Sequence, residues 1–459
     1  MNPGDLLDLD IADVAHGGVF VARHDGRVVF VEGAIPGERV RAQLTDTSKS
    51  SFWRADVVEV LDASPHRRPH VWAAAGLDAA PHERAGGAEF GHVALDHQRE
   101  LKTRVLRDAL ARFADIPSSE VVVSPAGTPD AEEREDGLGW RTRVSLHVDA
   151  DGRIGPFAAR SHRVIVTDDL PLATAEIAEV ARGLEGFAPG RVDLVQPADG
   201  RVRVIVRPDA PALAPGAARG DRGAGSARGR RGARGPATRA PRAPQPPRPP
   251  MDPTAHEVVT EVVAGRAFRV DAGGFWQVHR LAAATLTAAV DDALAAAGGV
   301  DPDAHHLDLY GGVGLFAAAI ASAGGPSTRV TSVESDARAT EHAGENLAEW
   351  VGARAETDRT DRYLARLHAQ VGAAERGRLA RGVVLLDPPR SGAGKQVVDA
   401  VAGLSPASIV YVACDPVALA RDLGTFRGHG YEPVRLDAFD LFPHTHHVEA
   451  VAVLARPAG

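Results

Sequence analysis

HHLDLYGGVGLFAAAIA, residues 305–321, decides the fold of the second half of this 459-residue chain. An apolar run carries Asp308 near its end, glycines follow at 311, 312 and 314, and a helix-forming stretch rich in alanine comes next. Strand, glycine turn and helix in that order let the backbone at the helix N-terminus approach a ligand closely. Twenty-six residues after Asp308, the run RVTSVES carries Glu334 at its end. An acidic side chain there accepts hydrogen bonds from two ribose hydroxyls, which points to a nucleoside-bearing cofactor. A dinucleotide site calls for GxGxxG and a pyrophosphate pocket, and GGVGLF does not match that pattern.

Three further apolar runs each end on a reactive side chain. GVVLLDPPR (382–390) ends at Asp387, IVYVACDP (409–416) at Cys414, and FPHTHHVEAVAVLA (442–455) opens a strand with Glu449 at its mouth. In an open parallel sheet the carboxyl ends of the strands line the ligand crevice. A thiol at that position, beside a cofactor and two carboxylates, reads as a nucleophile, with inert burial as the alternative.

The N-terminal stretch is different in kind. Short apolar runs between Leu9 and Leu61 are broken by Gly17-Gly18, Asp25-Gly26 and Pro36-Gly37. That rhythm predicts a small antiparallel barrel of five strands. Residues 63–91 show no periodicity, and the spacing of His66, His70, His82 and His92 fits no standard metal site. Apolar positions 101, 105, 106, 109, 110 and 113 predict an amphipathic helix within 92–113, and strand-like runs follow at 140–149, 163–167 and 201–207.

Apolar residues make up 44% and charged residues 25%, which excludes collagen-like and wholly disordered readings. The sequence holds no run of eighteen apolar residues, and MNPGDLLDLD has neither the basic nor the apolar region of a signal peptide, so a soluble, cytoplasmic protein without a membrane partner is expected. The net charge of −9 hides an uneven distribution: residues 216–250 carry nine Arg and one Asp, a local +8 that leaves −17 elsewhere. Residues 209–252 are Pro, Gly, Ala and Arg with little to bury, which predicts a disordered insert.

The motifs FWQVH (275–279), DLYGGVGLF (308–316), DPPR (387–390), YVACDP (411–416) and FPHTHHVE (442–449) resemble, in order, those of the RNA uracil-C5 methyltransferase family, and the GG turn and PGERV of the barrel resemble its TRAM domain. The resemblance implies an α/β fold: a Rossmann-like class I methyltransferase domain with an N-terminal OB-like TRAM barrel and a central α+β domain. The domains expected from it are 1–62 for the barrel, 63–91 with 122–268 for the central RNA-binding domain including the 209–252 insert, and 92–121 with 269–459 for the methyltransferase domain.

Carried over residue by residue, the resemblance makes Cys414 the nucleophile that adds to C6 of uracil and Glu449 the base that removes the C5 proton. It places S-adenosyl-L-methionine against Gln277, Tyr310, Gly311, Gly312, Gly314, Glu334 and Asp387. The bland alternatives are that Tyr310 caps its strand and that Glu334 pairs with Arg338. Where many members have Asn or Thr, this chain has Leu315, and Ala413 and Asp415 stand where Ser and Asn are usual. Members with an iron–sulfur cluster hold it with four cysteines in the region matching 63–91; this chain has one cysteine in all, so no cluster is expected. The implied partner is RNA, with 23S rRNA favoured over tRNA, and no motif calls for an obligatory protein partner. The alternatives are a tRNA uridine or other pyrimidine C5 methyltransferase, and a non-catalytic RNA-binding protein with a decayed methyltransferase domain.

Overall fold

The computed structural model describes residues 1–209 and 252–457. Strands Leu6–Ala15, Val19–His24, Arg27–Glu32, Arg39–Asp46 and Phe52–Asp62 close into a barrel, the five strands expected. Alternation sets its inside: Leu7, Leu9 and Ile11 are buried while Asp8 and Asp10 are exposed. Phe90 and Leu101, from outside the barrel, complete its core. The turn Gly17-Gly18 has φ of +89° and +76°, and a Cβ on Gly18 would lie 2.9 Å from His446 Cβ. Glycine there serves both the turn and its close approach to the C-terminal part of the chain.

The large sheet has eight strands, in the order 353–357, 329–334, 305–309, 383–386, 408–413, 449–455, 432–440 and 123–125. The first five are parallel to one another, and Glu449–Ala455 runs antiparallel to Ser408–Ala413. Val383–Leu386 and Ser408–Ala413 are buried at every position, as strands covered by helices on both faces must be. Chain order reverses between 305–309 and 383–386, and a crevice opens at the carboxyl ends beside that switch.

The domain division expected from sequence is redrawn at two places. Val123–Pro125 pairs with Ala438–Asp440 and so belongs to the large sheet, and the hairpin Val258–Val263/Arg266–Asp271 buries Val259, Phe268 and Val270 in one core with Val330, Leu385 and Val410 of that sheet. The central sheet contains Ile154–Gly155, Arg143–Val148, Gly190–Val195 and Arg203–Pro208, with the helix Ala175–Arg182 packed on it. The run 163–167 is not a strand: Val164 makes one isolated bridge to Phe157. The expected helix spans Leu95–Phe113.

The insert expected to be disordered lies outside the described residues, apart from its two ends. Those ends are secured: Asp209 N–H donates to Pro189 O at 2.9 Å, and Asp252 accepts from Val206 N at 2.8 Å and Thr254 N at 2.9 Å.

Candidate active site

The crevice is a cleft of 1380 Å³ that brings together Gln277, Tyr310, Gly311, Gly312, Glu334, Asp387, Cys414 and Glu449 from six separate segments. Gly314 alone of the expected residues stays out of it. It caps the helix Leu315–Gly324 at φ +87°, and a Cβ there would lie 3.3 Å from Leu347. Glycine there serves the close packing of that helix against Leu347.

Strand register sets the reactive pair. Ala413 faces Ala450 on the antiparallel neighbour, so the next step along the ladder puts Cys414 opposite Glu449. Residues so opposed have Cβ atoms about 5 Å apart. Asp387 follows directly on the adjacent parallel strand and donates its N–H to Leu309 O at 3.2 Å. Arg390, from the same loop, is the arginine whose charge is felt by both Cys414 and Glu449.

These acids disfavour one another's ionisation. Burial, then the Glu449 and Asp387 carboxyls, push the Cys414 thiol up to about 12. Burial and then Asp387 raise Glu449 well above the usual carboxylate range, and burial and then Asp308 bring Asp387 to about 7. A cleft arranged this way resists negative charge until a cation enters it.

At the other end, Glu334 is held as an acceptor. Its Oε2 accepts from Gly312 N at 3.2 Å and its Oε1 from Ser335 N at 2.5 Å and Asp336 N at 2.8 Å. Arg338 does not pair with it; its guanidinium goes to Asp271 at 2.8 and 3.1 Å and to Glu341 at 2.7 Å. Tyr310 sits at φ +66°, a conformation that costs about 1–2 kcal/mol outside glycine. Gly312, at φ +53°, has no atom within 4 Å of where a Cβ would stand. The turn is thus open to a ligand, with an oriented carboxylate beside it: the residues fit the nucleoside part of S-adenosylmethionine.

Sequence reasoning missed the groups that hold this site in place. Lys102, fully buried on the helix Leu95–Phe113, pairs with buried Asp440 and donates to Phe442 O at 3.0 Å. Gln98 on the same helix accepts from His444 N at 2.7 Å, and His444 is itself in the left-handed region at φ +65°. The helix therefore anchors the loop that leads into Glu449. A lysine and a glutamine on its apolar face were the available signal, since polar groups there need buried partners. Asp422 performs the same service for the Asp387 loop, accepting from Tyr411 OH at 2.5 Å and Ala393 N at 2.7 Å. Two of the four histidines weighed as metal candidates serve the fold: His92 and His70 bond the carbonyls of Ala34 at 2.9 Å and Ala88 at 3.1 Å.

Residues 288–457 match the family described as tRNA (Uracil-5-)-methyltransferase, and residues 2–58 match the TRAM domain. An RNA methyltransferase of Streptomyces avermitilis, of uncharacterized function, is 37% identical, with 99% of each chain covered. The 23S rRNA (uracil(1939)-C(5))-methyltransferase RlmD of Alkalilimnicola ehrlichii is 33% identical over 99% of this chain and 98% of its own. Among solved structures, the tRNA (uracil-54, C5)-methyltransferase of Pyrococcus abyssi, in complex with S-adenosyl-L-homocysteine, shares the fold at a TM-score of 0.63. Its identity is 20%, with 97% of this chain and 99% of that one covered.

Proposed function

Because this chain belongs to the RNA uracil-5 methyltransferase family and is an S-adenosylmethionine-dependent enzyme acting on RNA, we propose that it forms 5-methyluridine in 23S rRNA by covalent addition of Cys414 to the base. The observation that carries the mechanism is that Cys414 and Glu449 stand one residue beyond Ala413–Ala450, the last pair of two neighbouring antiparallel strands, and line a cleft that also holds Glu334. Relatives named for 23S rRNA, 33% and 31% identical over nearly the whole chain, support the choice of RNA.

C5 of uracil is a weak nucleophile. Addition of the Cys414 thiolate to C6 moves the ring's electron pair onto C5 and O4, which turns C5 into a carbon able to accept a methyl group. Gln277, Tyr310, Glu334 and the Gly311-Gly312 backbone would hold S-adenosylmethionine, which would supply that methyl from a cationic sulfur and leave as neutral S-adenosylhomocysteine. Glu449, ionised, then removes the C5 proton; the electron pair restores the C5–C6 double bond and expels the thiolate. Asp387 and Arg390 set the charge around both groups. With its one cysteine committed to the base, the enzyme works without an iron–sulfur cluster.

The test is mass spectrometry of 5-methyluridine in 23S rRNA and tRNA from cells with and without the gene, complemented by wild type or Cys414→Ala. Loss from 23S rRNA alone, restored by wild type and not by Cys414→Ala, is expected. Loss confined to tRNA would overturn the choice of RNA, and restoration by Cys414→Ala would overturn the mechanism.

A further inference from the structure

Beyond the wall of the reaction cleft lies a second cavity, of 540 Å³. Gly87, Glu89 and Arg141 line both spaces, so the two meet along one seam. The far side is contributed by the barrel, through Arg54, and by the central domain, through His147 and Phe157. The His147 and Phe157 rings are stacked, with centroids 3.5 Å apart and planes 12° apart.

The charges are arranged for an anion. Arg141 uses Nε, which donates to Arg143 O at 3.1 Å, and among the described residues its two terminal nitrogens have no hydrogen-bond partner. The Arg54 side chain makes no hydrogen bond or ion pair among the described residues; its guanidinium lies 5.8 Å from the Phe52 ring. The two acids of the cavity are engaged: Glu32 by Arg160 and Glu89 by His446, the latter at 3.3 Å. Arg160 also donates to Asp56 at 2.8 Å, which ties the Phe157 loop to the barrel. The space is therefore a prebuilt pocket with an aromatic wall and two guanidiniums free to meet phosphates.

We propose that this cavity receives the nucleotide adjoining the target uridine in the RNA strand, with the phosphodiester between the two lying on Arg141. The proposal rests on the methyltransferase reading of the neighbouring cleft. A uridine reaches Cys414 only when drawn out of its stack, which also exposes the face of its neighbour. The Phe157 and His147 wall offers that neighbour a replacement surface.

The experiment uses a synthetic RNA covering the methylated uridine, intact or with an abasic residue immediately 5′ or 3′ of it, and the full-length protein as wild type, Phe157→Ala or Arg54→Ala. Folding is checked by S-adenosylmethionine affinity, which both variants are expected to retain. Each variant should raise KM for the intact RNA about tenfold with kcat held. One of the two abasic RNAs should raise KM by a similar factor with wild type and add nothing further with Phe157→Ala. Multiplying effects at both positions, or variants that leave KM unmoved while wild type methylates the RNA, would overturn the subsite alone. No 5-methyluridine from wild type in any cellular RNA would sink the enzyme reading and the subsite together.

Discussion

His16, at the tip of the barrel's glycine turn, reaches Asp415, the residue directly after the nucleophile: Nε2 stands 2.9 Å from Oδ2. A carboxylate only accepts, so His16 donates. The other oxygen of Asp415 caps the helix Pro416–Gly428, accepting from Val417 N at 3.0 Å and Ala418 N at 2.8 Å. A negative charge beside Cys414 opposes formation of the thiolate, and the His16 hydrogen bond offsets part of it. His16→Ala is expected to lower kcat about threefold, the scale of a half-exposed pair. Asp415→Asn keeps the cap and removes the charge, so it should restore His16→Ala to near wild type. Rates of the four proteins on one RNA check this, and additive losses would count against the relationship.

Glu449→Gln leaves Cys414 free to add and C5 free to accept the methyl, but nothing then removes the C5 proton. An RNA–protein adduct that survives a denaturing gel should accumulate with cofactor and vanish when Cys414→Ala is added. Loss of rate with no adduct would mean that another group takes the proton.

The Cys414 thiol at about 12 predicts slow alkylation at neutral pH. Because the thiolate is the reactive form and the group is raised, the rate should climb about tenfold per pH unit from pH 7 to 10 without a plateau near 9. S-adenosylmethionine brings a positive charge and S-adenosylhomocysteine does not, so the first should quicken alkylation relative to the second. With a single cysteine in the chain, intact-mass spectrometry with iodoacetamide reads the rate directly. Equal rates with both compounds would refute the electrostatic account.

Lys102→Met takes from buried Asp440 its nearer cation and leaves Arg99, whose Nε stands 3.5 Å away, so the cost lies at the low end of the about 3–5 kcal/mol that breaking a buried pair carries. The melting midpoint should fall sharply, and the double change Lys102→Met with Asp440→Leu should recover most of the loss. Failure of the double variant to recover would assign the cost to packing instead.

Much of this was legible because strand ends carry their chemistry in consecutive residues. Asp387, Cys414 and Glu449 each follow or begin an apolar run, and the topology of an open sheet gathers such positions without further information. The strand 432–440 was not readable, since most of its positions are half-buried and its charged residues blur the pattern. Val123–Pro125 is three residues long, too short for any periodicity, and finds its place only through pairing with Ala438–Asp440. Gly314 looked like its neighbours in the turn, yet Leu347, thirty-three residues on, decides that it packs inward. Lys102 and Gln98 were hidden for a similar reason: their partners lie more than three hundred residues away.

The secured ends at Asp209 and Asp252 make that point of the chain a port for grafting. The hydrogen bond from Val206 to Asp252 closes the neck within the folded body, so the cost of joining the two ends changes only slowly with what is spliced between them. Arg207 and His256, a few residues inside the neck, stand on the rim of the cleft. A reporter grafted at this port would be tethered within a few residues of two side chains that line the cleft.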